Sequence, residues 1–234
     1  MPTPRAEQLR PSDSYLFRGT PGERHSPLQN RVLPSGEIVA DPARGTLMGN
    51  RGSIHRPDRT LGVTRWRSPM WISCVLEWGR IRRDVMPPGR WTALFFLDEA
   101  TALSAGHRPC GYCRYDDHRA FGSAWMAAFG LARRPRAHEM DLVLHRQRVS
   151  SRRVKLTSRA PVGDLPNGAM IGHGAGWALV LDGRLLPWTI RGYSAALETP
   201  PRALVEVFTP PAIVQVLRAG YRAGLHPSAG SPRQ

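Results

Sequence analysis

The sequence is short of lysine, of cysteine and of negative charge. Of its 33 basic residues only Lys155 is a lysine; three residues are cysteine and 18 are acidic. Three cysteines do not make the disulfide framework of a small secreted scaffold, which leaves metal binding, catalysis or burial as their uses. No apolar run is long enough to span a bilayer, and the amino-terminal MPTPRAEQLRPSDSYLF lacks the apolar core of a signal peptide. These absences predict a cytoplasmic chain with no membrane partner. Walker-type and dinucleotide-binding glycine loops are missing too, and no nucleophile elbow supports a Ser-His-Asp grouping.

What is present is length, apolar content and arginine. The 234 residues, 41% hydrophobic, suffice for one large domain or two small ones with a real core. The net charge is +15. A GC-rich coding sequence accounts for arginine over lysine, but not for the excess of base over acid. That excess favours a polyanion, because guanidinium pairs bidentately with phosphate and phosphate contacts dominate nucleic-acid affinity.

The chain reads as α+β. Residues 1–28 form a flexible basic arm, and 29–149 an α+β domain. Within it, two short strands flank Pro34-Ser35-Gly36, and residues 44–60 form a Gly- and Arg-rich loop. A hairpin is expected over 70–85, turning near Gly79, and a buried strand over 90–97. A short helix follows over 98–106, with Asp98 as its cap and Gly106 as its left-handed terminator. Two more helices are expected over 114–130 and 138–149. Phe121, Trp125 and Phe129 share one face of the first, and Met140, Val143 and Leu144 turn inward on the second. Asp141 and His145 of that helix are read as a local salt bridge. Residues 150–167 are a basic linker, and 168–226 a smaller hairpin-rich part. That part has a turn at Asp182-Gly183, a strand over 203–208 and a helix over 209–220, capped by Thr209 and ended by Gly220. Residues 227–234 read as a frayed tail.

The chemistry concentrates in AGHRPCGYCRYDDHRAF, residues 105–121. The C-x2-C pair Cys110 and Cys113 is half of a zinc site, a redox dithiol or two packed thiols. It joins two helices, where a thioredoxin-like dithiol would follow a strand, so zinc is favoured. Cys74 offers a third thiolate. His55, His107, His118 or a water compete for the fourth position, with His55 preferred because it lies upstream of Cys74. A water there would permit catalysis with a general base, for which Glu77 and Glu99 are available. Half of the zinc-deaminase signature is present as PCGYC, without an upstream His-x-Glu.

The stretch FFLDEATALSAGHRPCGYCRYD, residues 95–116, resembles the second half of the metal-binding module of Ada-type methylation-repair proteins. The matching residues are Phe95, Phe96, Ala100, Ala102, Ala105, Gly106, Arg108, Pro109, Cys110, Cys113 and Arg114. The resemblance implies a unit of small sheet plus helices, zinc as cofactor, and contact with the DNA backbone, so DNA rather than RNA. That family binds zinc through four cysteines, one a methyl acceptor. Here only Cys74 lies upstream, Trp78 stands where its partner would fall, and His107 replaces an aromatic residue. The wider stretches GNRGSIH, WISCVLEWGRIRR and LDEATALSAGHRPCGYC together resemble an uncharacterised bacterial family, which implies no activity.

Arg65, Arg67, Arg80, Arg82, Arg83, Arg90, Arg108 and Arg114 interleave with Trp66, Trp71, Trp78 and Trp91, as on a phosphate-binding, base-stacking surface. The expectation is a zinc-stabilised nucleic-acid-binding protein related to DNA repair or regulation. Cys74, Cys110, Cys113 and His55 would hold the metal, and Arg65, Arg67, Arg80, Arg82, Arg83, Arg108 and Arg114 the phosphates. The alternatives are a zinc-dependent hydrolase, an alkyl acceptor using Cys74, or a metal-stabilised scaffold for protein partners.

Overall fold

The computed structural model describes residues 27–78 and 91–230. The arm up to residue 26, the expected turn at Gly79, and Arg80, Arg82, Arg83 and Arg90 lie outside the described residues. The fold is α+β, with two six-stranded sheets and four helices among the described residues.

The first sheet is mixed. Its strands are β1 (Gln29–Val32), β2 (Ile38–Ala40), β3 (Leu47–Asn50), β4 (Ile72–Val75), β5 (Leu94–Phe96) and β6 (Arg108–Pro109), in the order β2-β1-β5-β3-β4-β6. β3 runs through the segment expected to be a loop; its four residues are too few to show an alternation. On β5, Leu94 and Phe96 turn to one face, where they meet Ala102 and Ala105 of α1 (Glu99–Ser104) and its C-cap. Phe95 turns to the other face, toward the cysteines.

The second sheet is antiparallel throughout: β7 (Ser158–Pro161), β8 (Met170–His173), β9 (Gly176–Leu181), β10 (Arg184–Thr189), β11 (Gly192–Tyr193) and β12 (Leu204–Val207), ordered β11-β10-β9-β8-β12-β7. Both faces are covered. Ile171, Ala178, Val180 and Leu185 face one core, and Met170, Leu179, Leu186 and Trp188 the other. This explains why WALVL reads as an unbroken apolar run. Asp182 (φ 50°) and Gly183 (φ 74°) both take the left-handed conformation that a two-residue hairpin turn requires.

Helices α2 (Tyr115–Ala128), α3 (Ala137–Arg148) and α4 (Pro211–Arg218) share one core with Leu103 of α1. Phe121 and Trp125 are buried there, but Phe129 is exposed and stacks on Trp125. Met140 and Leu144 are inward as expected. Thr209 does not cap α4: its hydroxyl accepts from the Met170 N–H, and Gln147 of α3 accepts from the Ala212 N–H at 2.8 Å. The division at residues 150–167 is not visible in the packing. That segment supplies β7, and two cores span it, one joining α1–α3 to α4, the other joining Leu97 and Ala100 to the second sheet. Residues 227–229 form a short 3-10 turn whose Ser228 accepts from the Tyr193 N–H, so the described part of the tail is tied down.

Asp98 makes the junction. One carboxylate oxygen accepts from Thr101 N (2.9 Å) and Thr101 Oγ1 (2.8 Å), capping α1 as expected; the other accepts from Tyr193 O–H (2.7 Å) and His226 N (3.0 Å). Asp98→Ala loses the cap and strands the buried tyrosine hydroxyl, at a cost of about 3 kcal/mol. Urea unfolding should show a lower midpoint at unchanged slope; a loss below about 0.5 kcal/mol would mean that the junction does not hold the halves together.

Candidate metal centre

The cysteines meet because a helix end and two parallel strands leave them no choice. Gly106 (φ 90°) reverses the chain out of α1, and a Cβ there would stand 2.5 Å from the Arg148 side chain. The chain then enters β6, which pairs in parallel with β4 (Ile72↔Arg108, Ser73↔Pro109). The Cys110 N–H continues that ladder to Ser73 O at 2.9 Å, setting Cys110 beside Cys74. The C-x2-C turn brings Cys113 back before α2 begins. The three sulfurs lie within 4.8 Å of one another, on residues 5%, 9% and 4% exposed for Cys74, Cys110 and Cys113. Met48, directly across from Cys74 in the β3–β4 register, packs there with Ala93, Trp91 and Phe95.

The electrostatics separate the thiols. A hydrogen bond from Cys74 lowers the Cys110 pKa, and backbone N–H groups of Cys113 and Tyr112 assist; the Tyr112 N–H lies 3.5 Å from the sulfur. The same thiol contact, together with burial, raises Cys74. Three soft, buried sulfurs, one already supplied with N–H donors, suit a thiophilic divalent ion such as zinc. The group can bind a metal.

The structure does not bring His55 to the sulfurs. Its ring is engaged elsewhere, Nε2 with Gln29 O at 2.9 Å and Nδ1 with Thr92 Oγ1 at 3.2 Å, while neighbouring Ile54 anchors the loop in the core facing α1. His107 is not there either. It is fully buried between Trp71 and Phe96, accepts at Nε2 from Arg51 Nε (3.2 Å), and is held neutral by burial first and by Arg51 and Arg148 second. His118 is the histidine placed against the C-x2-C turn: a Cβ on Gly111 would lie 3.2 Å from its ring, and its buried Nδ1 has no hydrogen-bond partner among the described residues. Among those residues the three sulfurs alone form the close-set group.

Two of the expected phosphate-binding arginines are internal. Arg108 makes a bidentate pair with buried Asp141 (2.9 and 2.7 Å), fastening α3 to β6. Asp141 is therefore not paired with His145, which lies instead at 3.1 Å from Arg148. Arg114, directly after Cys113, reaches Glu99 (2.8 Å), Asp117 (2.8 Å) and the Ser73 hydroxyl (3.0 Å). Arg65 and Arg67 are exposed on the loop between β3 and β4. Trp71 is core, and Trp78 is surface, stacked against Tyr112. Glu99 is spoken for by Arg114 and Tyr221, and Glu77 is exposed, so neither stands as a general base beside the sulfurs. Nothing local in the sequence marks Arg114 as a clamp, since Ser73 is 41 residues away.

No family model, no curated protein and no solved structure matches the chain.

Arg114→Met leaves Glu99 buried without its countercharge, and should cost about 3–5 kcal/mol in urea unfolding. It should also free the C-x2-C turn from β4, so that a chromogenic disulfide titrates the thiols of the folded, metal-free variant faster than those of wild type. Equal thiol reactivity would show that Arg114 does not position the turn.

Proposed function

We propose that the protein is a zinc-stabilised nucleic-acid-binding protein that contacts the phosphate backbone, of DNA in preference to RNA. The observation that carries the metal half is the convergence of three buried cysteine sulfurs from two separated segments. Cys74, Cys110 and Cys113 would hold the ion, with His118 or a water in the fourth position. Bound zinc supplies folding free energy to a region whose strands are only two to four residues long. A catalytic role has less support, because among the described residues no carboxylate joins the group of thiols. An alkyl-acceptor role has less too, because Cys74 is almost fully buried.

The nucleic-acid half rests on the charge of +15 and on where exposed arginine collects. The loop between β3 and β4 exposes Arg56, Arg59, Arg65 and Arg67 against a single acid, Asp58. Arg80, Arg82 and Arg83 follow β4 in sequence and belong to the same proposal.

Elemental analysis of tag-free protein should find about one zinc per chain. Cys110→Ser should lose it, His118→Ala should weaken its retention against a chelator, and His55→Ala should leave it unchanged. Loss in His55→Ala would restore that residue to the ligand set, and no zinc in any preparation would end the metal reading. In DNA titrations, affinity should fall steeply with salt, and the Arg65→Ala, Arg67→Ala pair should reduce the log–log slope by about 2. Absence of binding to DNA or RNA at low salt would favour the protein-scaffold alternative.

A further inference from the structure

A second cluster of charge lies away from the cysteines, around Trp71. A cavity of about 300 Å³ is lined by Arg51, Arg148, Lys155, Trp66 and Trp71. Exposed Arg65, Arg153 and Glu37 line it as well. Arg51 is 2% exposed and Arg148 is fully buried. Both guanidinium groups lie over the Trp71 ring, 4.1 and 3.9 Å from its centroid.

These cations have only neutral partners. Arg51 donates to Gly36 O (2.9 Å) and His107 Nε2 (3.2 Å). Arg148 donates to the carbonyls of Gly106 and Pro69, and the Lys155 ammonium to Ser104 O. Arg51 Nη2 and Arg148 Nε are buried and reach no hydrogen-bond partner among the described residues. None of the three forms an ion pair there; Asp141, which acts on Arg148 from a distance, is committed to Arg108. Burial is the first cause in each: with repulsion from Arg65 it brings Arg51 down to about 9, with repulsion from Arg51 it brings Arg148 to about 8, and with repulsion from Arg51 and Arg148 it brings Lys155 to about 7. Clustered buried charges without a countercharge are costly, and groups perturbed in this way collect at binding sites.

We propose that this cavity binds a phosphate monoester, its phosphoryl oxygens held by Arg51, Arg148 and Lys155. A carboxylate would offset one of three charges; a phosphoryl dianion offsets two and offers three oxygens to forked donors. The cavity is larger than a bare phosphate needs, and the half-buried indole of Trp66 flanks the remaining space, a surface suited to a planar organic group. The inference is independent of the metal; Arg65, which lines the cavity, also belongs to the arginine loop, but it is not among the three residues that hold the phosphoryl group. A phosphate monoester reaches the site either as a free small molecule or as the 5′ end of an oligonucleotide.

Calorimetry and thermal unfolding of the full chain at fixed ionic strength distinguish these sources. The probes are inorganic phosphate, a nucleoside 5′-monophosphate, the unphosphorylated nucleoside, and one short DNA strand with and without a 5′-phosphate. The monophosphate should bind and raise Tm while the nucleoside does not, which would identify a free ligand; a response confined to the 5′-phosphorylated strand would identify a chain end. Lys155→Met should weaken binding of whichever phosphorylated probe responds by about tenfold or more, yet unfold no earlier than wild type without ligand, because the ammonium it removes is disfavoured by burial and by repulsion from Arg51 and Arg148. Arg153→Ala, an exposed change that leaves the core intact, should weaken binding less. No response to any phosphorylated probe beyond matched chloride, or unchanged affinity in both variants, would overturn the proposal.

Discussion

Two adjacent carboxylates at the start of α1 organise the molecule. Asp98 and Glu99 are almost fully buried, and a buried carboxylate is tolerable only when its oxygens are met by donors. The donors come from everywhere else. Asp98 takes Tyr193 and His226 from the carboxy-terminal part. Glu99 takes the Tyr221 hydroxyl (2.7 Å), the Gly224 N–H (2.9 Å) and the Arg114 guanidinium. The need to satisfy two charges thus ties the second half of the chain to the first, which is why residues 150–167 do not separate independent cores. Through Arg114 the same need reaches Ser73 and the end of the C-x2-C turn, so the cysteine geometry is set partly by a helix that contributes no ligand.

Local chemistry was legible in the sequence wherever it is decided within a few residues. Asp98 as cap, Gly106 as terminator, the Asp182-Gly183 turn, and the inward Phe121 and Trp125 of α2 and Met140 and Leu144 of α3 needed only their neighbours to be read. Cys74 is legible only as the remaining thiol of the chain, and the β4–β6 pairing brings it beside the C-x2-C pair. What was illegible is decided at long range. Arg108 and Arg114 resemble any exposed arginine until Asp141 and Glu99 arrive from 33 and 15 residues away. Chain order favours His55, but its ring follows the loop that Ile54 anchors. Thr209 has the right residue type and place for a cap, yet the Met170 N–H claims its hydroxyl.

The arginine excess therefore divides into populations that composition cannot separate. Exposed arginines of the β3–β4 loop keep their charge in water, where it acts at a distance and is screened by salt. Arg108 and Arg114 have carboxylate partners and act as internal fasteners. Arg51 and Arg148 are buried without one. Composition counts all of them alike toward +15, although the last two populations are not free to act at the surface.

The segment from Ala105 to Cys113 shows how closely the last two populations are joined. Arg148 stacks on Trp71 and donates to the Gly106 carbonyl, and its methylenes fill the space that the missing Gly106 side chain leaves. His107, next in sequence, accepts from Arg51. Arg108 then pairs with Asp141 on α3, the helix that ends in Arg148. Two residues later the chain delivers Cys110 to Cys74. Glycine at 106 serves both sites, because a side chain there would displace Arg148 and spoil the reversal that feeds β6. The motif Gly-His-Arg-Pro-Cys is thus accounted for residue by residue without invoking a nucleic-acid contact: glycine for the reversal, histidine for Arg51, arginine for Asp141, proline in the β6 ladder and cysteine for the thiol cluster.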